Sequence, residues 1–143
     1  MNVGIIGLGY VGTALKEGFK DKHNIETYDL RVELSTCSSI DDLVSKTDLI
    51  FICVPTPMNE DGSSNLNIVY DVVEQISNSN TINNPILIIK STISPGTTEM
   101  LNNKYEKLQI VFNPEFLTEA NFVEDFKNQN RIILGGPRDA TTI

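Results

Sequence analysis

Apolar residues along this chain fall into short unbroken runs that alternate with longer segments in which apolar positions recur every three to four residues. Unbroken runs rich in Ile, Val and Leu are typical of parallel strands covered on both faces, and the longer spacing is typical of helices. The pattern predicts strands at residues 2–6, 25–28, 49–54, 86–90, 110–112 and 131–134. It predicts helices near residues 11–20, 40–45, 66–77, 97–104 and 118–126.

Strands and helices that alternate in this way indicate an α/β fold. We therefore expect a Rossmann-like, doubly wound and mainly parallel sheet with helices on both faces. The 143 residues are about the size of one domain, and we find no internal repeat or domain boundary.

Composition narrows the range of partners. Eleven basic and nineteen acidic residues give a net charge of -8, and no basic run is present, so nucleic acid and anionic membrane are poor candidates. No window approaches the roughly 20 apolar residues of a membrane span, and we expect a cytoplasmic protein. Cys37, Cys53 and His23 form no metal-ligand spacing, so we expect no metal site.

The stretch GLGYVG, residues 7–12, lies between the first predicted strand and the first predicted helix. Gly7, Gly9 and Gly12 fill the positions at which a dinucleotide loop needs a tight turn, close approach of the backbone to the pyrophosphate, and close packing of helix on strand. The helix that follows would direct its free N–H groups at the phosphates. The alternative is that the glycines only form a turn.

Asp29 supplies the context that the glycine motif needs. It follows the second predicted strand, 20 residues after Gly9, where a carboxylate can accept hydrogen bonds from the adenosine ribose. This carboxylate would repel a 2′-phosphate and favours NAD over NADP. Arg31 complicates the choice, because an arginine just past this strand can accommodate that phosphate.

Two further stretches follow predicted strands at the edge where ligands bind in such sheets. FICVPTP, residues 51–57, places Thr56 where it could line the nicotinamide side of a cofactor or form part of a rigid turn. KSTISPGTTE, residues 90–99, places the hydroxyl pair of Ser91 and Thr92 where it could hold a reacting group or a water, and Thr92 is the better candidate of the two. The alternative for Thr92 is an N-cap role, although Ser94 and Thr97 are nearer that position.

The stretch NPEFLTEANFVEDF, residues 113–126, carries Glu115 and Glu119 four residues apart. Both would lie on one helix face if a helix begins at Pro114, and paired acids suit general base work such as activating water. Glutamates at this spacing also occur on solvated helix faces. Arg131 could contact a phosphate or pair with an acid such as Asp125.

Together these stretches and NRIILGG, residues 130–136, resemble the amino-terminal domain of the UDP-glucose/GDP-mannose dehydrogenases, in order and approximate spacing. That family oxidises the C6 hydroxyl of a nucleotide sugar to a carboxylate in two NAD-dependent steps, through a thioester on a cysteine. The resemblance implies that the cofactor-binding residues are Gly7, Gly9, Tyr10, Val11, Gly12, Asp29, Pro55, Thr56 and Thr92. It implies that Thr92, Glu115 and Glu119 position or activate the hydrolytic water, and that Glu115, Phe116, Leu117 and Arg131 contact the sugar nucleotide.

The chain departs from the family pattern in two places. The family's cysteine, with most of its nucleotide-binding surface, lies in a following domain, so we expect residues 1–143 to be an incomplete NAD-binding domain that is inactive alone. Only 19 residues separate Asp29 from Leu49, where the family carries a longer excursion. A homodimer, or a partner chain that carries the cysteine, is then expected, and a non-catalytic NAD-binding or regulatory module is the alternative.

Overall fold

The computed structural model describes residues 1–142 and contains five strands and six α-helices in that range. The strands are β1 Asn2–Ile6, β2 Asn24–Tyr28, β3 Leu49–Ile52, β4 Ile86–Ile89 and β5 Gln109–Phe112. The helices are α1 Tyr10–Phe19, α2 Ile40–Lys46, α3 Asn67–Ser77, α4 Thr97–Lys104, α5 Phe122–Asn128 and α6 Arg138–Thr141. All strand pairs are parallel, in the order β2-β1-β3-β4-β5, which confirms the predicted α/β class.

Helices cover both faces of the sheet, as predicted. On one face Ile5 and Phe51 pack with Leu15 of α1, and α5 joins this layer. On the other face Ile50 packs in one cluster with Leu43 of α2, together with side chains of α3 and α4. Successive residues of a strand point to opposite faces, so strands buried on both sides need unbroken apolar sequence.

The way in which β1 is connected to β2 and β3 determines where this fold binds ligands. The chain leaves β1 for β2 on one side of the sheet and then crosses to β3 on the other side. In open parallel sheets ligands bind outside the carboxyl ends of the strands at such a switch point. Gly7, which follows β1, and Cys53, which follows β3, lie at this point.

The outer edge of β2 is covered by the segment that follows it. After a short 3-10 helix, Val32–Leu34, the chain returns along the strand. The Thr27 N–H donates to Thr36 Oγ1 at 2.9 Å, and the Thr36 N–H donates to the Thr27 carbonyl at 3.0 Å. The Asp29 N–H donates to Ser35 Oγ at 2.8 Å. Polar groups of this edge are therefore paired within the chain.

Near the carboxyl end, the predicted helix begins later than expected and the predicted strand is absent. No helix begins at Pro114 or at Thr118, because the chain is irregular there and α5 begins at Phe122. Residues 131–134 form no strand: only Gly135 pairs, antiparallel, with Phe112 of β5. The apolar side chains of this segment are exposed, namely Ile132 (71%), Ile133 (47%) and Leu134 (41%). No described element covers them, so their apolar pattern does not produce a buried strand.

Substitution of Gly18 by alanine should test the contact between α1 and α5. A Cβ at this position would collide with the Phe126 ring, which also packs edge-on against Phe19 with centroids 5.3 Å apart. We expect Gly18→Ala to lower the free energy of unfolding by about 1–3 kcal/mol, measured by urea denaturation. The control is Gly135→Ala, where a Cβ has open space. Equal stability of the two variants would contradict the packing described.

Candidate functional site

The glycine loop, residues 7–12, connects β1 to α1 and lies against the end of β3. Gly7 has a φ of 89°, in the left-handed region that favours glycine, and its N–H donates to the Tyr28 carbonyl at 2.9 Å. A Cβ at Gly7 would lie 2.6 Å from the Cys53 carbonyl oxygen, and a Cβ at Gly12 would collide with the Gly7 carbonyl. Close packing therefore requires glycine at the first and third positions of the motif.

Gly9 has different surroundings from Gly7 and Gly12. It directly precedes α1, and a Cβ there would have no atom within 4 Å. The first N–H groups of a helix have no acceptor within the helix, and the first turn of α1 contains no acidic residue. The start of α1 thus offers N–H donors and the positive end of the helix dipole, which suits a phosphate.

Asp29 is turned towards this loop. Its Oδ2 accepts a hydrogen bond from the Leu8 N–H at 2.6 Å, and its Oδ1 accepts from the Arg31 N–H at 2.9 Å and from Arg31 Nε at 3.1 Å. Arg31 Nη2 donates to the Leu8 carbonyl at 2.9 Å. Burial raises the pKa of Asp29, but the hydrogen bonds from Arg31 and Leu8 outweigh it, and the pKa lies below its ordinary value. The acid is therefore held as a carboxylate beside the loop.

Two neighbouring cavities open on either side of the loop and the end of β3. The larger, about 550 Å³, lies between the loop, the end of β2 and one side of α3. The smaller, about 250 Å³, lies between the loop and the ends of β3, β4 and β5. Both are lined by Gly9, Cys53, Val54 and Pro55, so they adjoin at the switch point of the sheet, and together they are called the cleft.

Most of the predicted cofactor-binding residues line this cleft. Gly7, Gly9 and Asp29 line the larger cavity, whereas Gly12 is buried beneath the loop. Residues of the smaller cavity include Tyr10, Val11, Pro55, Thr56, Thr92 and Glu115. Thr92 is not an N-cap, because α4 is preceded by Gly96 and has no side-chain cap.

The remaining predicted residues lie outside these two cavities. Glu119 is exposed and shares no helix face with Glu115, because no helix spans them. Leu117 is partly buried, and Phe116 is 51% exposed. The Arg131 guanidinium stacks over the Phe116 ring, 5.3 Å from its centroid. Asp125, the suggested partner of Arg131, instead accepts hydrogen bonds from Thr118.

Sequence reasoning missed several residues of the cleft. Lys90 is buried directly after β4 and lines the smaller cavity. A lysine that directly follows an apolar strand run was the available signal, because buried lysines are rare. The larger cavity is also lined by side chains of α2 and α3, namely Ile40, Ile68, Asp71, Val72 and Gln75. No sequence signal marked these positions.

The two cysteines have properties of structural thiols. Burial raises the pKa of the Cys53 thiol to about 12. Burial and a hydrogen bond to Glu26 raise the pKa of Cys37 to about 11. Nucleophilic cysteines need a lowered pKa. Across residues 1–142 no three His, Cys, Asp or Glu side chains group as metal ligands, and no helix there is long and apolar enough to cross a membrane.

The sheet order, the glycine loop at the start of α1 and the carboxylate after β2 define a dinucleotide-binding domain of the Rossmann type. The chain belongs to the UDP-glucose/GDP-mannose dehydrogenase family: the model of that family's NAD binding domain matches residues 20–142. NAD is the cofactor of this domain. The matched range begins after the glycine loop, so the role of the loop depends on the geometry above.

Relatives of known name agree with this assignment. The UDP-glucose 6-dehydrogenase of Bacillus subtilis is 26% identical over 99% of this chain and 40% of its own length. That of Rickettsia prowazekii is 43% identical over 62% of this chain and 21% of its own. The structure of a UDP-glucose dehydrogenase from Pyrobaculum islandicum superposes with a TM-score of 0.88 and 26% identity, over 99% of this chain and 42% of that one.

This chain thus spans about two fifths or less of the length of these relatives. The alignment with the Bacillus subtilis enzyme runs over 180 residues, more than the 143 of this chain. The relative therefore carries insertions that this chain lacks. In this chain, a 3-10 helix and α2 alone connect β2 to β3.

Proposed function

We propose that this chain is the NAD-binding domain of a nucleotide-sugar 6-dehydrogenase that resembles UDP-glucose 6-dehydrogenase. Completed by a domain with a reactive cysteine, it would oxidise the C6 hydroxyl of a nucleotide sugar to a carboxylate. The observation that carries the proposal is the pair of adjoining cavities in the cleft, with the glycine loop and Asp29 at one and Thr92 and Glu115 at the other.

The residues of the cleft fit a dinucleotide. The open space beside Gly9 would receive the pyrophosphate, with N–H donors from the start of α1, including those of Tyr10 and Val11. Asp29 would accept hydrogen bonds from the adenosine ribose. Pro55, Thr56 and Thr92 would surround the nicotinamide, which accepts a hydride from the sugar when NAD is bound.

Glu115 and Thr92 are the residues best placed for chemistry. Both line the smaller cavity, so the Thr92 hydroxyl could hold a water or a sugar hydroxyl while the Glu115 carboxylate accepts its proton. Glu119 could help to accept this proton only if the exposed segment that carries it changed its conformation. Phe116, Leu117 and Arg131 would contact the sugar nucleotide from the same segment and from the residues after α5.

The missing nucleophile requires a partner. Thioester chemistry needs a thiolate, and both cysteines of this chain have raised pKa values. A cytoplasmic partner chain, or a longer protein of which this chain is a part, would supply the cysteine. It would also supply most of the surface that binds the sugar nucleotide. A homodimer of the domain is compatible with either arrangement.

Complementation in trans tests this proposal. The purified chain is mixed with NAD, UDP-glucose and the separately expressed cysteine domain of a UDP-glucose 6-dehydrogenase, and NADH absorbance is followed. We expect about two NADH for each sugar oxidised, because two hydrides leave C6. The control is the same cysteine domain with its cysteine changed to alanine. No NADH above this control, with NAD binding intact, would contradict the catalytic proposal.

A second function that the same cleft would serve is that of a non-catalytic NAD-binding or regulatory module. Such a module would bind NAD with the same residues and would gain no activity from any sugar or cysteine domain. NAD binding without NADH production in the complementation assay would favour this second function.

A further inference from the structure

Lys90 is the one charged residue that is buried among residues 1–142. It directly follows β4, and only 3% of it is exposed. Burying a charged side chain costs free energy unless partners compensate for it, so such residues usually have a function or a specific partner. The catalytic scheme proposed above gives Lys90 no role.

The surroundings of Lys90 keep its ammonium group close to the cleft. Its Nζ donates a hydrogen bond to Asn113 Oδ1 at 2.9 Å, and no carboxylate of residues 1–142 lies within 4 Å of it. Burial lowers the pKa of Lys90, and the negative charge of Glu115, which also lines the smaller cavity, opposes this effect. Asn113 in turn donates to the Ile133 carbonyl at 2.8 Å, which fixes its orientation.

Lys90 also lines the smaller cavity, together with Thr56, Thr92 and Glu115. Under the proposed function, on which this step rests, this cavity holds the nicotinamide. The ring of oxidised NAD carries a positive charge, whereas the ring of NADH is neutral. A lysine ammonium beside the ring therefore disfavours the oxidised form relative to the reduced form.

We infer that Lys90 is a specificity-determining residue that sets the relative affinity of the site for the oxidised and reduced cofactor. The buried ammonium destabilises the cationic ring and so promotes acceptance of a hydride from the sugar alcohol. Glu115 acts in the opposite direction, because its carboxylate stabilises the cationic ring. Lys90 and Glu115 together therefore set how tightly the site binds oxidised NAD and how readily the bound NAD is reduced.

The test is calorimetric titration of the chain with NAD, NADH and ADP-ribose, which lacks the nicotinamide. In Lys90→Met we expect the ratio of the NAD and NADH dissociation constants to fall about tenfold, as NAD binding strengthens. ADP-ribose affinity should stay within about twofold of the wild type, which shows that the site is folded. Lys90→Arg keeps the charge and should restore most of the wild-type ratio.

The outcomes separate the two proposals. If the wild-type chain binds none of the three ligands, the proposed function is wrong and this inference falls with it. If all three bind and the ratio is unchanged in Lys90→Met, the inference alone is wrong. If Lys90→Met does not fold, Glu115→Gln replaces it: loss of the carboxylate should raise the ratio, and an unchanged ratio would overturn the inference.

Discussion

Substitution of Asp29 by alanine is expected to weaken NAD binding by about 10- to 100-fold, the usual effect of losing hydrogen bonds to a charged group. The variant loses the carboxylate that would accept from the ribose hydroxyls. It also loses the acceptor of the Leu8 N–H, so the glycine loop loses one of its supports. Calorimetric titration of both proteins with NAD measures the effect, and thermal unfolding shows whether the variant is folded.

A matched control lies close by in the chain. Glu33 is an exposed acid of the 3-10 helix Val32–Leu34. Glu33→Ala removes the same charge near the cleft without touching the loop, and we expect it to change the NAD dissociation constant by less than about threefold. Equal affinities of the Asp29 and Glu33 variants would mean that the carboxylate after β2 does not contact the cofactor.

Substitution of Gly12 by alanine is expected to lower the free energy of unfolding by about 4 kcal/mol or more. The new methyl group would collide with the Gly7 carbonyl, which is backbone and cannot turn away as a side chain can. Relief requires α1 to move away from β1, which separates Leu15 from Ile5 in the core. Urea denaturation measures the change in free energy.

Gly9→Ala is the control for Gly12→Ala, because a Cβ at Gly9 has open space. We expect this variant to lose no more than about 1 kcal/mol of stability. Its methyl group would nevertheless occupy the space where the pyrophosphate approaches, so NAD binding should weaken. If Gly12→Ala unfolds at the same urea concentration as Gly9→Ala, the close approach of the loop to α1 is not as described.

The sequence pattern predicted the sheet well because its strands are buried on both faces. Burial of this kind demands unbroken apolar runs, which are visible without a structure, and β1 to β5 all lie within a residue or two of their predicted bounds. The prediction of a strand at residues 131–134 was wrong, although this segment contains the apolar run Ile132-Ile133-Leu134. An apolar run becomes a buried strand only where another layer covers it, and Ile132 has no such neighbour among the described residues.

The pair of glutamates shows the limit of spacing arguments. A four-residue interval places two side chains together only on a helix, and residues 115–119 are not helical. Instead Asp125 of α5 accepts hydrogen bonds from the N–H and hydroxyl of Thr118, which holds the preceding chain in a different conformation. Glu115 nevertheless lines the smaller cavity, because it closely follows a parallel strand.

Side chains that reach the cleft from a distance could not be predicted. Lys90 belongs to β4 in the sequence pattern, yet it lies just beyond the strand, lines the smaller cavity and donates from its Nζ to Asn113. Asp71 and Gln75 of α3 line the larger cavity only because α3 packs beside the switch point. Such positions follow from the packing of helices on the sheet, which periodicity does not specify.

The segment that covers the outer edge of β2 has a consequence for aggregation. Exposed strand edges carry unpaired N–H and carbonyl groups, which are templates for edge-to-edge association between molecules. Hydrogen bonds to Ser35 and Thr36 occupy such groups on β2. On β5, the Asn102 side chain pairs with the N–H and carbonyl of Ile110, and Gly135 pairs with those of Phe112. Both edges of the sheet therefore use contacts within the molecule to protect backbone groups that a second molecule would otherwise pair with.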